Sequence, residues 1–301
     1  MNTKENNVLF MGNLMALGST IMWAGNFIAA KVLANAYTGL EMSFWRWIIA
    51  SILLLPLSYK HLKKDFPLIK QEWKLLLLYG FLGCFLSNFL FYNAPQTAPA
   101  VDMTILMTTS PLFMMILSWL IFKEKINTLW IIGSLLCLGG VFVLVTKGNM
   151  DIFHHFNFTI GHFWTLGCSI CFALYSVSMR FFKVKIHLTV FLQVTFTIAC
   201  FFAVLLTFFY YGTYPPIEKI EHIWALLYIG GFASIFAFLC WNTAIEMIGA
   251  VRAGIIYYLV PVFGSTFAVI FVHEQIGFIQ LLGGIMVLTG VLTCTIFKNK
   301  Q

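Results

Sequence analysis

Polar side chains inside otherwise apolar segments are the residues of this chain that could do chemistry. Asn26 lies one helical turn after Trp23, and Asn88 lies one turn before Tyr92, so each pair shares a helix face. Polar groups within an apolar segment must face protein or water rather than lipid, so together they can hydrogen-bond a small polar molecule. We predict a central substrate-binding site made of Trp23, Asn26, Asn88, Tyr92, Asn93, Thr108, Tyr175, Trp241, Asn242, Tyr257 and Tyr258.

A second explanation applies to each of these residues taken singly. An interhelical hydrogen bond without any ligand also satisfies a buried polar group, and it contributes about 1 kcal/mol. The site prediction therefore depends on the whole set, whose members fall on corresponding helices of two similar halves of the chain.

Residue patterns for catalysis are missing from the sequence. We find neither a glycine-lysine phosphate loop nor an HExxH or GxSxG motif, and no carboxylate lies in the middle of a predicted span. The close pair His154 and His155 falls in a polar loop without acidic neighbours. We expect no catalytic residues, no metal and no cofactor, and the missing carboxylates disfavour proton-coupled export of cations. A membrane-embedded enzyme or an assembly partner is the alternative class.

Two prolines, Pro111 and Pro261, lie near the middle of their apolar segments. Proline removes a backbone hydrogen bond and bends a helix, and neighbouring helices can tolerate such a bend as a static kink. Because the two prolines occupy corresponding positions in the two halves, we predict that they are gating pivots.

Composition requires that these residues sit in an integral membrane protein. The chain has 301 residues, of which 60% are hydrophobic and only 10% charged. A helix needs about 20 apolar residues to cross a bilayer. The segments that meet this length are 9–33, 40–58, 74–94, 99–122, 127–146, 160–180, 187–211, 223–245, 250–272 and 276–297.

The two halves of the sequence are copies of one unit. Identical residues recur in nearly constant register, and an odd number of five spans per half means that the copies enter the membrane from opposite sides. We predict an all-α integral membrane protein with ten transmembrane helices arranged as two inverted five-helix repeats, at residues 9–146 and 160–297. The matching pairs include Gly80 and Gly230, Ala94 and Ala244, Pro111 and Pro261, Glu124 and Glu274, Gly133 and Gly283, and Gly140 and Gly290.

The placement of charge predicts the orientation. Most of the 18 Lys and Arg residues fall on the side of the membrane that holds both termini, so both termini should be cytoplasmic, in the cell inner membrane. The net charge of +7 is therefore topogenic, and we expect no nucleic-acid partner. Lys31, Arg46 and Arg180 lie inside predicted spans. We expect them to extend to the headgroups, the alternatives being an ion pair or an anion-attracting entrance.

Several motifs together resemble the EamA-type transporters of the drug/metabolite transporter superfamily. The resemblance covers nearly the whole chain, and it implies ten helices in two inverted repeats that export or exchange metabolites by alternating access. It does not fix the substrate. The motifs are WAGNFIAAK at 23–31, Arg46, FYNA at 91–94, the proline helix 111–124 ending in FKE, ALYSVSMR at 173–180, WNTA at 241–244 and the proline helix 261–274 ending in VHE.

The expected cargo is a small polar metabolite, with neutral amino acids or related zwitterions favoured. A site without buried carboxylates suits neutral or anionic cargo better than cationic cargo. The alternative is an exchanger of nucleotide or nucleoside derivatives, which would use aromatic rings to stack a base and a cation to hold a phosphate. The expected partners are this small-molecule substrate and the lipid bilayer, and a homodimer is a further arrangement that we consider.

Overall fold

Ten helices form the part of the chain that this computed structural model describes, which comprises residues 3–98, 100–149, 151, 158–217, 220–272 and 275–296. All ten are long and apolar enough to cross a membrane. The pairs His154–His155 and His273–Glu274 lie outside the described residues. The helices are α1 Thr3–Leu33, α2 Gly39–Gln71, α3 Trp73–Gln96, α4 in two parts Ala100–Met107 and Ser110–Phe122, α5 Thr128–Thr146, α6 Ile160–Phe181, α7 Leu188–Tyr211, α8 Ile223–Ile248, α9 in two parts Ala250–Tyr257 and Val260–Val272, and α10 Phe278–Ile296.

Local sequence sets the ends of these helices. Thr38 begins α2 with a capping box, in which its side chain accepts from the Glu41 backbone and the Glu41 carboxylate accepts from the Thr38 backbone. Asn127 caps α5, and Lys147, with φ of 56°, ends it in a left-handed conformation. The polar stretch 59–71, which the sequence leaves outside the spans, continues α2 as helix. Lysine and leucine, which favour helix, are common there.

Contacts between α5 and α10 establish that the two repeats are inverted. A side chain on Gly133 would meet the Gly290 carbonyl, and one on Gly140 would meet the Gly283 carbonyl. Residue numbers thus rise along α5 as they fall along α10, so these corresponding helices run antiparallel. Cys137 donates to the carbonyl of Val287, its counterpart 150 residues later, at 3.5 Å. The approximate two-fold axis relating the repeats therefore passes close to this pair.

The first helix of each repeat packs into the other repeat. Helix α1 lies against α8 and α9, whereas α6 lies against α3 and α4. Close glycine contacts repeat this exchange, because Gly12 of α1 lies against Ile248 and Gly161 of α6 lies against Ala98. Neither repeat can therefore complete its own core. We call the membrane face at which α1 begins and α10 ends the termini face, and the opposite face, at which α1 and α5 end, the linker face.

Two kinds of helix irregularity recur at corresponding positions. Helices α4 and α9 are broken after Met107 and after Tyr257, and Pro111 and Pro261 follow in the first turn of the second part of each helix. Proline fits a first turn because its missing N–H would be unbonded there. Helices α3 and α8 each contain a π-helical segment, Tyr79–Leu86 and Tyr228–Phe236. Such segments displace backbone carbonyls from the regular ladder and are common at functional sites.

Candidate functional site

A buried arginine lies at the centre of the molecule. Arg46 on α2 is only 1% exposed, so its expected extension to the headgroups is wrong. Its Nη1 donates to the Tyr92 hydroxyl at 2.7 Å and, more weakly, to Asn26 Oδ1 at 3.4 Å. The Tyr92 hydroxyl in turn donates to Asn26 Oδ1 at 3.1 Å. Three helices of the first repeat, α1, α2 and α3, thus fix one guanidinium.

The second repeat supplies the remaining support for this arginine. Arg46 Nη2 donates to the Ala233 carbonyl at 2.9 Å, and the Trp23 indole Nε1 donates to the same oxygen at 3.0 Å. Ala233 lies in the π-helical segment of α8. The guanidinium also lies 5.3 Å from the centre of the Trp47 ring, a distance that allows a cation–π contact. The side chain therefore faces inward because its hydrogen-bond partners lie there.

Carboxylates near the span ends have other partners. Glu41 accepts from the Thr38 backbone, and Asp102 Oδ2 lies 3.0 Å from His162 Nε2. Glu246 lies 4.0 Å from Lys183. Within the described residues, no carboxylate forms a salt bridge with Arg46, and the Nε atom of Arg46 has no hydrogen-bond partner. A buried charge without a counterion costs several kcal/mol, and an anionic ligand would offset that cost.

Two cavities meet beside this arginine. The central cavity has a volume of about 60 Å³, which is room for several water molecules. A wide cavity of about 960 Å³ lies at the linker face. Phe27 and Phe91 line both cavities, and their rings form an edge-to-face pair with centres 5.2 Å apart. The central cavity is lined by Trp23, Asn26, Phe27, Arg46, Gly83, Ser87, Asn88, Phe91, Met107, Cys168, Phe172, Phe238 and Tyr257.

The wide cavity is an approach to the site from the linker face. Its walls come from the ends of α1 and α5, the starts of α2 and α10, and the second part of α9. Lys31 and Lys147 contribute positive charge to this wall, and Glu41 contributes a carboxylate that already caps α2. Among the described residues of this wall, the two lysines outnumber the single carboxylate.

Aromatic rings close the central cavity on its termini-face side. The Trp23 ring centre lies 5.3 Å from that of Phe172 and 5.1 Å from that of Trp241. Phe238 and Tyr257 complete this cluster, at 5.7 and 5.9 Å from Trp23. The structure is thus wide at the linker face and closed by packed rings towards the termini face, with the arginine between them.

Comparison with known proteins agrees with this architecture. The model of the EamA-like transporter family matches residues 10–146 and 159–296, which is most of the chain. This chain belongs to the EamA-like transporter family. As expected from the sequence, it is an all-α membrane protein of two inverted five-helix repeats.

Relatives of this EamA-like chain are themselves described as transporters. The "Uncharacterized transporter YyaM" of Bacillus subtilis is 26% identical over 94% of this chain and 92% of its own length. An "Uncharacterized transporter" of Archaeoglobus fulgidus is 26% identical over 94% of this chain and 96% of its own. A crystal structure covering 95% of this chain and 96% of its own shares the fold, with a TM-score of 0.78 at 18% identity. The protein is therefore a membrane transporter.

The EamA-like fold brings about half of the predicted site residues together. Trp23, Asn26, Asn88 and Tyr257 line the central cavity, and Tyr92 reaches it through its bond to Arg46. Trp241 lies one layer behind, where its Nε1 donates to the Ser176 hydroxyl at 3.1 Å. These residues come from four helices, α1, α3, α8 and α9, which are the first, third and fourth helices of a repeat.

The other predicted residues of this EamA-like transporter line neither cavity. Asn93 donates to the Phe89 carbonyl at 2.7 Å, and Thr108 donates to the Ile105 carbonyl at 2.7 Å. The Tyr175 hydroxyl donates to Asn242 Oδ1 at 2.8 Å, and both residues are buried outside the two cavities. Tyr258 is fully buried and lines neither cavity.

The two prolines also differ in position. Both prolines are buried, but Pro261 lines the wide cavity and Pro111 lines neither cavity. The breaks that they follow are both present, so the chain has the discontinuity on which a gate in an EamA-like transporter could turn. That the carrier turns at these breaks stays a prediction.

Sequence reasoning missed several features of this EamA-like site. Arg46 stands out as a cation inside an apolar segment. Because it lies near the end of that segment, however, the sequence does not distinguish a buried arginine from one that extends to the headgroups. The role of the Ala233 carbonyl cannot be identified from the sequence, although the small residues Gly230, Gly231 and Ser234 lie close to it. Phe172 and Phe238 are indistinguishable from lipid-facing phenylalanines until the helices are assembled.

Proposed function

We propose that this transporter carries small polar metabolites across the cell inner membrane by alternating access, exporting or exchanging neutral amino acids or related zwitterions. The observation that carries the proposal is Arg46, a buried cation at the central cavity that forms no salt bridge with a described carboxylate. A substrate carboxylate would neutralise this charge and accept charge-assisted hydrogen bonds from it.

The lining of the central cavity supports a zwitterion in particular. An α-carboxylate would bind at the part of the Arg46 guanidinium that lines the central cavity. The rings of Trp23 and Phe172 also line this cavity. An aromatic ring attracts an ammonium group by cation–π interaction or packs against an apolar side chain. The Asn88 side chain, which donates to the Cys84 carbonyl, offers its amide oxygen as an acceptor for an ammonium N–H.

Nucleotide or nucleoside derivatives are the second candidate class. The wide cavity of about 960 Å³ and its lysines would accommodate a phosphate-bearing ligand. The central cavity, at about 60 Å³, favours the smaller ligand. We therefore rank neutral amino acids first. In the proposed orientation both termini lie in the cytoplasm and the wide cavity opens to the outside.

Counterflow in proteoliposomes tests the proposal. Liposomes loaded with one unlabelled compound should accumulate the labelled compound only if the protein exchanges it, so separate loading with neutral amino acids and with nucleotides compares the two classes. We expect exchange of amino acids that keep a free carboxylate, and none of their methyl esters.

Variants of Arg46 connect this activity to the site. Arg46→Gln should raise the KM for amino acids by about 10- to 100-fold, because a hydrogen bond to a charged group contributes about 1.5 to 3 kcal/mol. Arg46→Lys should lose less because it keeps the charge. Arg252→Gln is the matched control, since Arg252 bonds the Thr295 carbonyl away from both cavities. Equal losses in Arg46→Gln and Arg252→Gln, or transport of methyl esters, would contradict the proposal.

A further inference from the structure

A stripe of aromatic residues runs along the exposed side of α2 at the termini face. Tyr59 and Phe66 are seven residues apart on α2, which places them on one side of that helix, and Trp73 follows as the first residue of α3. Their side chains are 57%, 52% and 54% exposed. Large aromatic residues at a membrane–water boundary mark the level of the lipid headgroups.

A lysine lies over the ring of each of these aromatic residues. Lys63 Nζ is 5.7 Å from the centre of the Tyr59 ring, and Lys70 Nζ is 4.9 Å from that of the Phe66 ring. Lys74 Nζ is 5.8 Å from the Trp73 ring. Lys60 and Lys64 are also exposed on this segment. The resulting surface, residues 59–74, which we call the Lys-aromatic stripe, is cationic and apolar at once.

Geometry keeps this stripe close to the membrane. Helix α2 has 33 residues and is therefore about 50 Å long, whereas the hydrocarbon of a bilayer is about 30 Å thick. The excess corresponds to its last 13 residues or so, which begin near Tyr59. Only Glu72 separates α2 from α3, so the chain returns to the membrane at once. Helix α3 has 24 residues and is therefore about 36 Å long, and it must itself cross about 30 Å of hydrocarbon. Its first residue, Trp73, and the adjacent end of α2 therefore stay close to the headgroups.

The other side of the same segment is fixed to the protein. Asp65 is 8% exposed, and its carboxylate accepts from the His187 backbone at the start of α7 at 2.8 Å. The Asp65 side thus packs inward while the Lys-aromatic stripe stays exposed. This fixed rotation presents the lysines as an ordered row rather than as independent surface charges.

The repeat does not require this extension. Helix α7, the counterpart of α2, has only 24 residues. The connection that follows α7 at the linker face, residues 212–222, contains one lysine and two glutamates. The extra basic turns of α2 are therefore an addition to the repeated unit at one face only. Positive charge alone would serve to orient the chain, but orientation does not require a ring beneath each lysine.

We propose that the Lys-aromatic stripe binds anionic phospholipid headgroups in the leaflet at the termini face. The lysine ammonium groups would donate to lipid phosphates, and the rings would pack at the boundary between headgroups and acyl chains. The ligand is a lipid with a net negative charge, such as phosphatidylglycerol, and this inference is independent of the transported substrate.

Titration of the delipidated full chain with defined lipids, read out by native mass spectrometry, tests this inference. We expect phosphatidylglycerol to bind more tightly than phosphatidylcholine with the same acyl chains. The triple variant Lys63→Gln, Lys70→Gln and Lys74→Gln should lower the preference for phosphatidylglycerol about tenfold or more. The control variant Lys123→Gln, Lys125→Gln and Lys185→Gln removes the same charge from the same face outside the stripe.

Each outcome shows whether the Lys-aromatic stripe itself or only the net positive charge of the termini face attracts the lipid. The proposal holds if the stripe variant loses the preference and the control keeps it. Equal losses in both variants would mean that net charge alone attracts the lipid, and no loss in either would mean that lipid binds elsewhere; either result overturns the proposal. A third variant, Tyr59→Leu, Phe66→Leu and Trp73→Leu, keeps every lysine and should still weaken binding. If it binds as the natural chain does, the role of the rings is wrong.

Discussion

Tyr92 controls the position of the Arg46 guanidinium from α3. Its hydroxyl accepts from Arg46 and donates to Asn26, so it joins three helices through one oxygen. In the proposed mechanism this triad holds the charge at the edge of the central cavity before substrate arrives, and such preorganisation lowers the cost of binding.

Removing this hydroxyl should weaken substrate binding without removing the cation. Tyr92→Phe is expected to raise KM about tenfold, which corresponds to about 1.5 kcal/mol for a hydrogen bond to a charged group, while maximal exchange changes little. Tyr79→Phe is the matched control, because the Tyr79 hydroxyl donates to the Phe182 carbonyl at the termini face. Counterflow kinetics measure both. An unchanged KM in Tyr92→Phe would mean that Arg46 needs no such support.

At the scale of helices, α5 and α10 pack so closely that no side chain fits between them at their glycine contacts. A side chain on Gly140 would meet backbone atoms of Gly283 and Val287, which cannot move aside as a flexible side chain can. On neighbouring Gly139 it would meet only the end of Met286, at 3.6 Å. The two glycines therefore form a natural pair for comparison.

Gly140→Ala is expected to lower stability by about 1 to 3 kcal/mol, the usual cost of overpacking a close contact. Gly139→Ala should change stability by less than about 0.5 kcal/mol, or raise it slightly, because alanine favours helix more than glycine does. Thermal unfolding of both variants in the same detergent gives the comparison. Similar melting temperatures would show that the α5–α10 contact can separate at little cost.

The breaks in α4 and α9 are alike in position but differ in bonding. After Met107, the hydroxyls of Thr108, Thr109 and Ser110 donate to carbonyls three residues earlier. The corresponding residues of α9 are Tyr258, Leu259 and Val260, and among the described residues none of them forms such a side-chain bond. Hydroxyl groups thus satisfy the freed carbonyls of α4, and the break in α9 is held less firmly.

Replacing either proline by alanine allows the helix to continue through its break and should slow exchange with little change in KM. We expect Pro111→Ala and Pro261→Ala to bias the carrier towards opposite openings, because the repeats are inverted, and the effect of Pro261→Ala to be larger. Pro56→Ala is the control, since Pro56 lies within an unbroken helix. Labelling of a cysteine at Ser265, in the wide cavity, reports the opening. Wild-type rates and labelling in both variants would make the prolines structural kinks only.

At the scale of the whole molecule, orientation decides the direction from which the wide cavity fills. The positive charges of the termini face predict that it is cytoplasmic and that the linker face is external. On a background without the seven native cysteines, Asn149→Cys should react with a membrane-impermeant thiol reagent in intact cells. Lys64→Cys should react only after permeabilisation. The reverse pattern would invert the orientation and make the wide cavity face the cytoplasm.

The sequence by itself determined the membrane class, the ten spans, the inverted repeat and the place of both helix breaks. Each of these depends on a local property: the length of an apolar segment, residue identity at a constant offset, or the missing N–H of proline. Only the tertiary structure decided which polar side chains meet. Asn26 and Tyr175 occupy corresponding positions, yet Asn26 faces the central cavity and Tyr175 bonds Asn242 outside it. Arg46 faces inward because it donates to the carbonyl of Ala233, a residue 187 positions away in the chain. Helix rotation depends on such distant packing, which no local pattern encodes.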